Sequence, residues 1–126
     1  LKLKKLNSWI KQRREIANIY NKFLKGTSLI LPKENKNNFH SYYVYVVQHP
    51  NRKRLMEKLK KNNIYCNISY PFPIHLMRGY AYLNYKKGSF AVTEQTSKKI
   101  FSLPMYPQLS HIKVLKVIKC LKEAGI

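Results

Sequence analysis

The chain has 126 residues, enough for one domain around a single core, and its 44% hydrophobic and 13% aromatic content excludes an intrinsically disordered segment. Lysine and arginine number 25 against five acidic residues, all glutamate (Glu15, Glu34, Glu57, Glu94 and Glu123), for a formal charge of +20 with no aspartate anywhere. That balance suits a phosphate-bearing ligand, nucleic acid or an anionic surface; the same richness in Lys, Asn, Ile and Tyr is equally what A/T-rich codons supply, and it leaves paired-carboxylate chemistry poorly provided.

Leu1 to Leu24 places Leu3, Leu6, Ile10, Ala17, Tyr20 and Leu24 at three- and four-residue steps, which predicts one long amphipathic helix ended by a left-handed turn at Gly26. Because the first residue is Leu1 and the opening already reads as mid-helix, the chain is expected to be cut from something longer. Thr27 to Asn38 holds a short apolar "LILP" and then the aperiodic polar "KENKNN", an exposed loop. Tyr42 to Gln48, rich in aromatic and β-branched residues and apolar on both faces, predicts a largely buried strand.

Pro50 and Asn51 open a second helix with Leu55, Met56 and Leu59 inward, stopped by Asn63 in the left-handed region. Ile64 to Ile68 predicts a second strand, and Tyr70 is held extended by the proline after it. Ser89 is placed to cap a helix showing Val92, Thr96 and Ile100 on one face. "FSLP" from Phe101 predicts a short strand stopped by Pro104. Ser110 begins the last helix as N-cap, with Leu109 and Val114 at the spacing of a hydrophobic staple, a buried stripe of Val114, Val117, Ile118 and Leu121, and Lys113, Lys116, Lys119 and Lys122 outward. Alternating helices and strands predict an α+β or α/β two-layer fold, a small sheet covered by helices.

Cys66 and Cys120 form no C-x-x-C pair, so neither a zinc site nor a disulfide framework is indicated, and a reduced, cytoplasmic setting fits. The longest apolar run, "YYVYVV", is too short to span a bilayer, and no charged-then-apolar leader opens the chain. His40, His49, His75 and His111 follow no catalytic or metal-binding spacing, and the isolated glycines form no phosphate-cradling motif. The lysines of the last helix could track phosphates and the tyrosines stack bases, but a solvated helix face and core strand residues account for both, and no nucleic-acid-binding signature is present.

"NISYPFPIHLMRGYAYLNYKKGSF", from Asn67 to Phe90, stands apart. Pro71 and Pro73 fix φ on alternate residues and remove two amide donors, so Tyr70 to Ile74 is a stiff extended segment that cannot lie inside a sheet. It offers Tyr70 and His75 to a polar ligand at low ordering cost; the alternative is that both side chains hydrogen-bond within the core.

The ordered series "LKKLNSWIKQRREIANIY", "HSYYVYVV", "NRKRLMEKLKKNNIYCNISYPFPIHL" and "KKGSFAVTEQTSKKIFSLPMYPQLS" resembles the C-terminal portion of the DegT/DnrJ/StrS family of pyridoxal-phosphate-dependent sugar aminotransferases, most sharply in "YPFPIHL" and "FSLPMYP". The resemblance implies the small C-terminal domain, residues 1–126, of a fold type I transferase. The upstream domain would supply the Schiff-base lysine, the aspartate paired with the pyridine nitrogen and the phosphate cup, so no catalytic or cofactor-binding residue is expected here. It further implies that Tyr70, His75, Tyr80 and Ser69 line the nucleotide-sugar pocket, Ser69 standing where many members have histidine. Asn63 replaces a usual glycine and Ala91 a usual proline. The implied parent is a homodimer that uses an amino-acid donor, usually glutamate, to aminate a nucleotide-linked keto-6-deoxy sugar in two stages, in the cytoplasm and away from membranes. A related PLP-dependent dehydratase, a basic nucleic-acid-binding or regulatory module, and an inert fragment that self-associates through uncovered apolar surface are the other readings.

Overall fold

The computed structural model describes residues 2–126; Leu1, where the predicted first helix begins, lies outside them. A 3-10 turn at Leu3–Lys5 leads into α1, Leu6–Leu24. Ile16, Ala17, Tyr20 and Leu24 are buried, whereas Leu3 and Leu6 are exposed. The expected period is right, but the buried stripe is shorter than predicted, with full burial beginning only at Ile16. Gly26, at φ +81°, ends the helix, and Thr27 Oγ1 donates to the Leu24 carbonyl at 2.7 Å.

Two strands form the sheet. β1, Tyr45–Gln48, runs antiparallel to β2, Ile100–Leu103, with Tyr45 opposite Leu103 and Val47 opposite Phe101. Those four side chains are buried on one face, in a hydrophobic cluster with residues of α1, α2 (Arg52–Lys61) and α4 (His111–Glu123). Single-residue bridges extend the ribbon on both edges, Ile30 beside Gln48 and Asn67 beside Ser102. α4 packs on both α1 and α2. Its expected stripe is buried together with Cys120, and Ser110 Oγ accepts the Lys113 amide at 3.4 Å.

Three expected elements are corrected. β1 starts three residues later than predicted: Tyr42 sits at φ +47° with its amide donating to His40 Nδ1 at 2.8 Å, a bend that leaves Tyr43 exposed. The strand expected over Ile64–Ile68 is reduced to the bridge at Asn67. There the Ile64 amide closes α2 on Leu59 and Asn63 (φ +58°) makes the expected left-handed stop, so the first of these residues belongs to the helix end rather than to a ladder. The third helix, α3, spans Ala91–Ser97, and Ile100 belongs to β2 instead. Ser89 does not cap it; the Ser89 hydroxyl accepts the Lys86 amide within a turn, and the Phe90 amide points to the Glu94 side chain.

Candidate functional site

The stretch from Ser69 to Leu76 follows from its prolines. Pro73 holds φ −60° and ψ 131°, and the chain then tightens into a 3-10 turn, Ile74–Leu76, with the Leu76 amide bonded to the Pro73 carbonyl at 3.0 Å. Ahead of that turn Tyr70 is 70% exposed and Phe72 also faces out. Tyr70, Phe72 and Ile74 line one side of an open groove of about 400 Å³, with Val92, Thr96 and Ile100 on the other. The apolar row read in the sequence is therefore real as a row. It borders this groove rather than the core, which is why Val92 is 80% exposed.

Beyond the turn the surroundings change sign. His75 is 8% exposed and its Nε2 lies 3.0 Å from Glu94 Oε1. The same oxygen accepts the Gly88 amide at 2.8 Å and, more weakly, the Phe90 amide at 3.4 Å. Phe90 meets the His75 ring edge-on at 4.8 Å and Tyr85 at 4.9 Å, so the imidazole is held on several sides. His75 also borders an open cavity of about 460 Å³ whose lining includes Arg78, Lys86 and Lys87. The hydrogen bond to His75, then that from Gly88, holds the Glu94 carboxyl below the usual carboxylate range against the opposing effect of its burial.

The four residues expected at the pocket are thus distributed. Tyr70 faces the apolar groove, and His75 lies on the adjoining basic cavity, the Ile74–Leu76 turn bordering both. Ser69 is exposed, 3.5 Å from Asn67 Nδ2. Tyr80 lies partly exposed in a second 3-10 turn, Arg78–Leu83, and lines neither cavity. The His75 ring is enclosed and hydrogen-bonded and also borders a cavity. Glu94 went unnoticed in the sequence because its partner lies 19 residues away. Its isolation in a stretch with no other acidic residue between Glu57 and Glu123 was the available signal. Arg78, Lys86 and Lys87 were submerged in the general excess of positive charge.

Other groups take little part in chemistry. Burial pushes the Cys66 thiol up to about 12, so it is no ready nucleophile. Among the described residues no group of three His, Cys, Asp or Glu could hold a metal ion, and no helix is long and apolar enough to cross a membrane. Glu34 is engaged by Arg14, whose Nη1 and Nη2 donate at 2.7 and 3.1 Å, and by the His40 amide at 2.8 Å. That strut ties α1 to the loop before β1.

Residues 1–122 match the model of the DegT/DnrJ/EryC1/StrS aminotransferase family. A dTDP-3-amino-3,4,6-trideoxy-alpha-D-glucose transaminase of Micromonospora megalomicea subsp. nigra is 41% identical over 97% of this chain and 34% of its own length. A dTDP-3-amino-3,6-dideoxy-alpha-D-galactopyranose transaminase of Aneurinibacillus thermoaerophilus is 30% identical over 99% of the chain and 34% of its own. Among solved structures, S. venezuelae DesV in complex with a ketimine intermediate superposes with a TM-score of 0.93 at 28% identity, covering 98% of this chain and 34% of that one. A DegT DnrJ EryC1 StrS aminotransferase from Brucella abortus gives 0.89 at 30% identity over 99% and 34%. The chain spans about a third of the length of the curated relatives it matches.

Proposed function

We propose a role built on one premise: the chain belongs to the DegT/DnrJ/EryC1/StrS aminotransferase family, and within such an enzyme it supplies the wall that meets a nucleotide-linked keto-deoxy sugar. The observation that carries the proposal is the exposed Tyr70 phenol at the mouth of a groove stiffened by Pro71 and Pro73, with His75 on a cavity rimmed by three cations directly beyond it. A sugar nucleotide has both characters in one molecule, hydroxyls and apolar ring faces at one end and a diphosphate next to them. Tyr70 and Ser69 are assigned to sugar hydroxyls, His75 to the hexose near its diphosphate linkage, Tyr80 to the outer rim, and Arg78, Lys86 and Lys87 to the anionic charge.

Pyridoxal phosphate, the cofactor of this family, would supply the amine-transfer chemistry between an amino-acid donor and the sugar ketone. The residues of this chain do not fit it as a site of their own. Every described lysine is exposed or partly exposed, no aspartate exists to pair with the pyridine nitrogen, and the two carboxylates held in place, Glu34 and Glu94, are already engaged. The chain's part is therefore to bind and orient the sugar nucleotide against a cofactor held by residues outside it. Binding energy gathered on the nucleotide and sugar positions the reacting carbon, so the wall acts on rate through orientation.

In the complete enzyme, Tyr70→Phe and His75→Ala are expected to lower kcat/KM for the nucleotide sugar by about 10-fold each, the scale of one lost hydrogen bond. Cofactor absorbance and the reaction with the amino donor should stay as they were. Unchanged sugar kinetics in both variants would sink the assignment.

A further inference from the structure

We propose that Glu94 is the positioning residue of this wall, its Oε1 fixing the tautomer of His75 and tying the turn that carries Lys86 and Lys87 to the same point. The inference rests on the reading of His75 as a sugar-nucleotide contact. Glu94 is 9% exposed, and its Oε1 gathers the His75 ring nitrogen at 3.0 Å and the Gly88 amide at 2.8 Å, with the Phe90 amide at 3.4 Å. Its own carbonyl accepts the Ser97 hydroxyl at 3.0 Å, which fastens the short α3 from below. The 3-10 turn after the prolines, 19 residues away, and the turn that leads directly into α3 thus meet on one oxygen carried by α3.

An ionised carboxylate only accepts, so His75 must carry a proton on Nε2, and in the neutral ring Nδ1 then keeps its lone pair. An acceptor nitrogen calls for a hydroxyl donor and repels a phosphate oxygen. On the same cavity Arg78, Lys86 and Lys87 have only donors and positive charge to offer. With the ring neutral, Glu94 thereby favours the hexose at His75 and leaves the diphosphate to the cations. Without Glu94 the imidazole could take the other tautomer and present a donor there, and the distinction would be lost.

The test uses the complete enzyme and, as non-reacting probes, glucose linked to dTDP, UDP or GDP, with binding followed by calorimetry. Glu94→Ala is expected to weaken the probe that the unaltered enzyme binds by about 10-fold, as for a lost hydrogen bond to a charged group. Glu94→Gln, which retains an acceptor oxygen for Gly88, Phe90 and His75, should restore affinity to within about 3-fold, the residue being the lost charge assistance. The reaction of the cofactor with the amino donor, followed by absorbance, should be unaffected in both. Should Glu94→Ala not fold, Glu94→Asp, whose oxygen stops a methylene short of the ring, takes its place. Undiminished probe binding in Glu94→Ala overturns the proposal. So does a parallel fall in the amino-donor reaction, which marks a general defect of folding. If the unaltered enzyme binds none of the three probes, the sugar-nucleotide reading itself fails and this proposal with it.

Discussion

The phenol of Tyr45 gives the sharpest check on how the sheet is fixed to α1. Its ring is fully buried, packed at 4.8 Å against Tyr20 with the two rings tilted by 37°, and its hydroxyl donates to Asn21 Oδ1 at 2.6 Å. Burial raises the phenol well above its ordinary range, so it is a donor at any working pH. Tyr45→Phe removes one oxygen and leaves the ring in place, so no cavity term of consequence arises and the cost is that of the hydrogen bond, about 1–1.5 kcal/mol. Asn21 is only half-buried and regains water, which keeps the figure from rising toward the cost of a fully orphaned amide. With unfolding entropy near 2.1 cal/mol/K per residue, that loss lowers Tm by roughly 4–6 °C for a chain of this size. Asn21→Ala should cost about the same, and the double variant little more than either, a coupling of about 1 kcal/mol in a urea-melt cycle. If the two single costs simply add, the bond does not exist in solution and the placement of β1 against α1 is wrong.

Acid stability follows from the shifted groups. Glu34, held low first by Arg14 and then by the His40 amide, and Glu94, held low by His75 and Gly88, have folded values below the unfolded one, so the unfolded chain takes up protons first. Their stabilisation is complete above about pH 4.5 and fades as pH falls through the folded values. His49, lowered by burial, adds a loss that begins as pH drops below about 6.5, where the unfolded ring protonates before the buried one. Urea midpoints measured from pH 8 to pH 3 should fall first through His49 and then through the two carboxylates, and Glu34→Gln should flatten the acid limb; a midpoint that stays level down to pH 4 contradicts the geometry. Hydrogen exchange should divide the chain as well, with amides of β1 and β2 opening only on global unfolding while those of residues 76–87 exchange quickly, Gly88 being the slow exception through Glu94. Self-association of the 126-residue chain is expected from Tyr70, Phe72, Tyr82, Leu83 and Val92, all exposed. Sedimentation at rising concentration should show it, and Tyr82→Ser with Leu83→Ser should reduce it; a strict monomer at hundreds of micromolar removes the idea.

The helices were legible because a 3.6-residue period repeats within one element and its capping signals are local: Ser110, Gly26 and Asn63 all sit where such residues should. The strands were less so. Four residues hold only two inward positions, and whether Ile64–Ile68 became a strand depended on the helix end that takes the Ile64 amide and on a neighbour, Ser102, distant in sequence. Val92, Thr96 and Ile100 show a different limit. Their spacing identified a face correctly, but an apolar face says only that something can cover it. In this chain that face turns toward the segment carrying Tyr70 and leaves a groove open between them. His75 shows why the site was half legible, since its residue type and the proline spacing were visible while the acceptor that fixes its chemistry was not. In the proposed function the recognisable motif supplies the contact, and the buried Glu94 carboxylate determines which of its ring nitrogens carries the proton. A phosphate oxygen only accepts whereas a sugar hydroxyl can also donate, so under the proposed function the selectivity of the wall rests on Glu94, which lies outside the proline-spaced segment that carries His75.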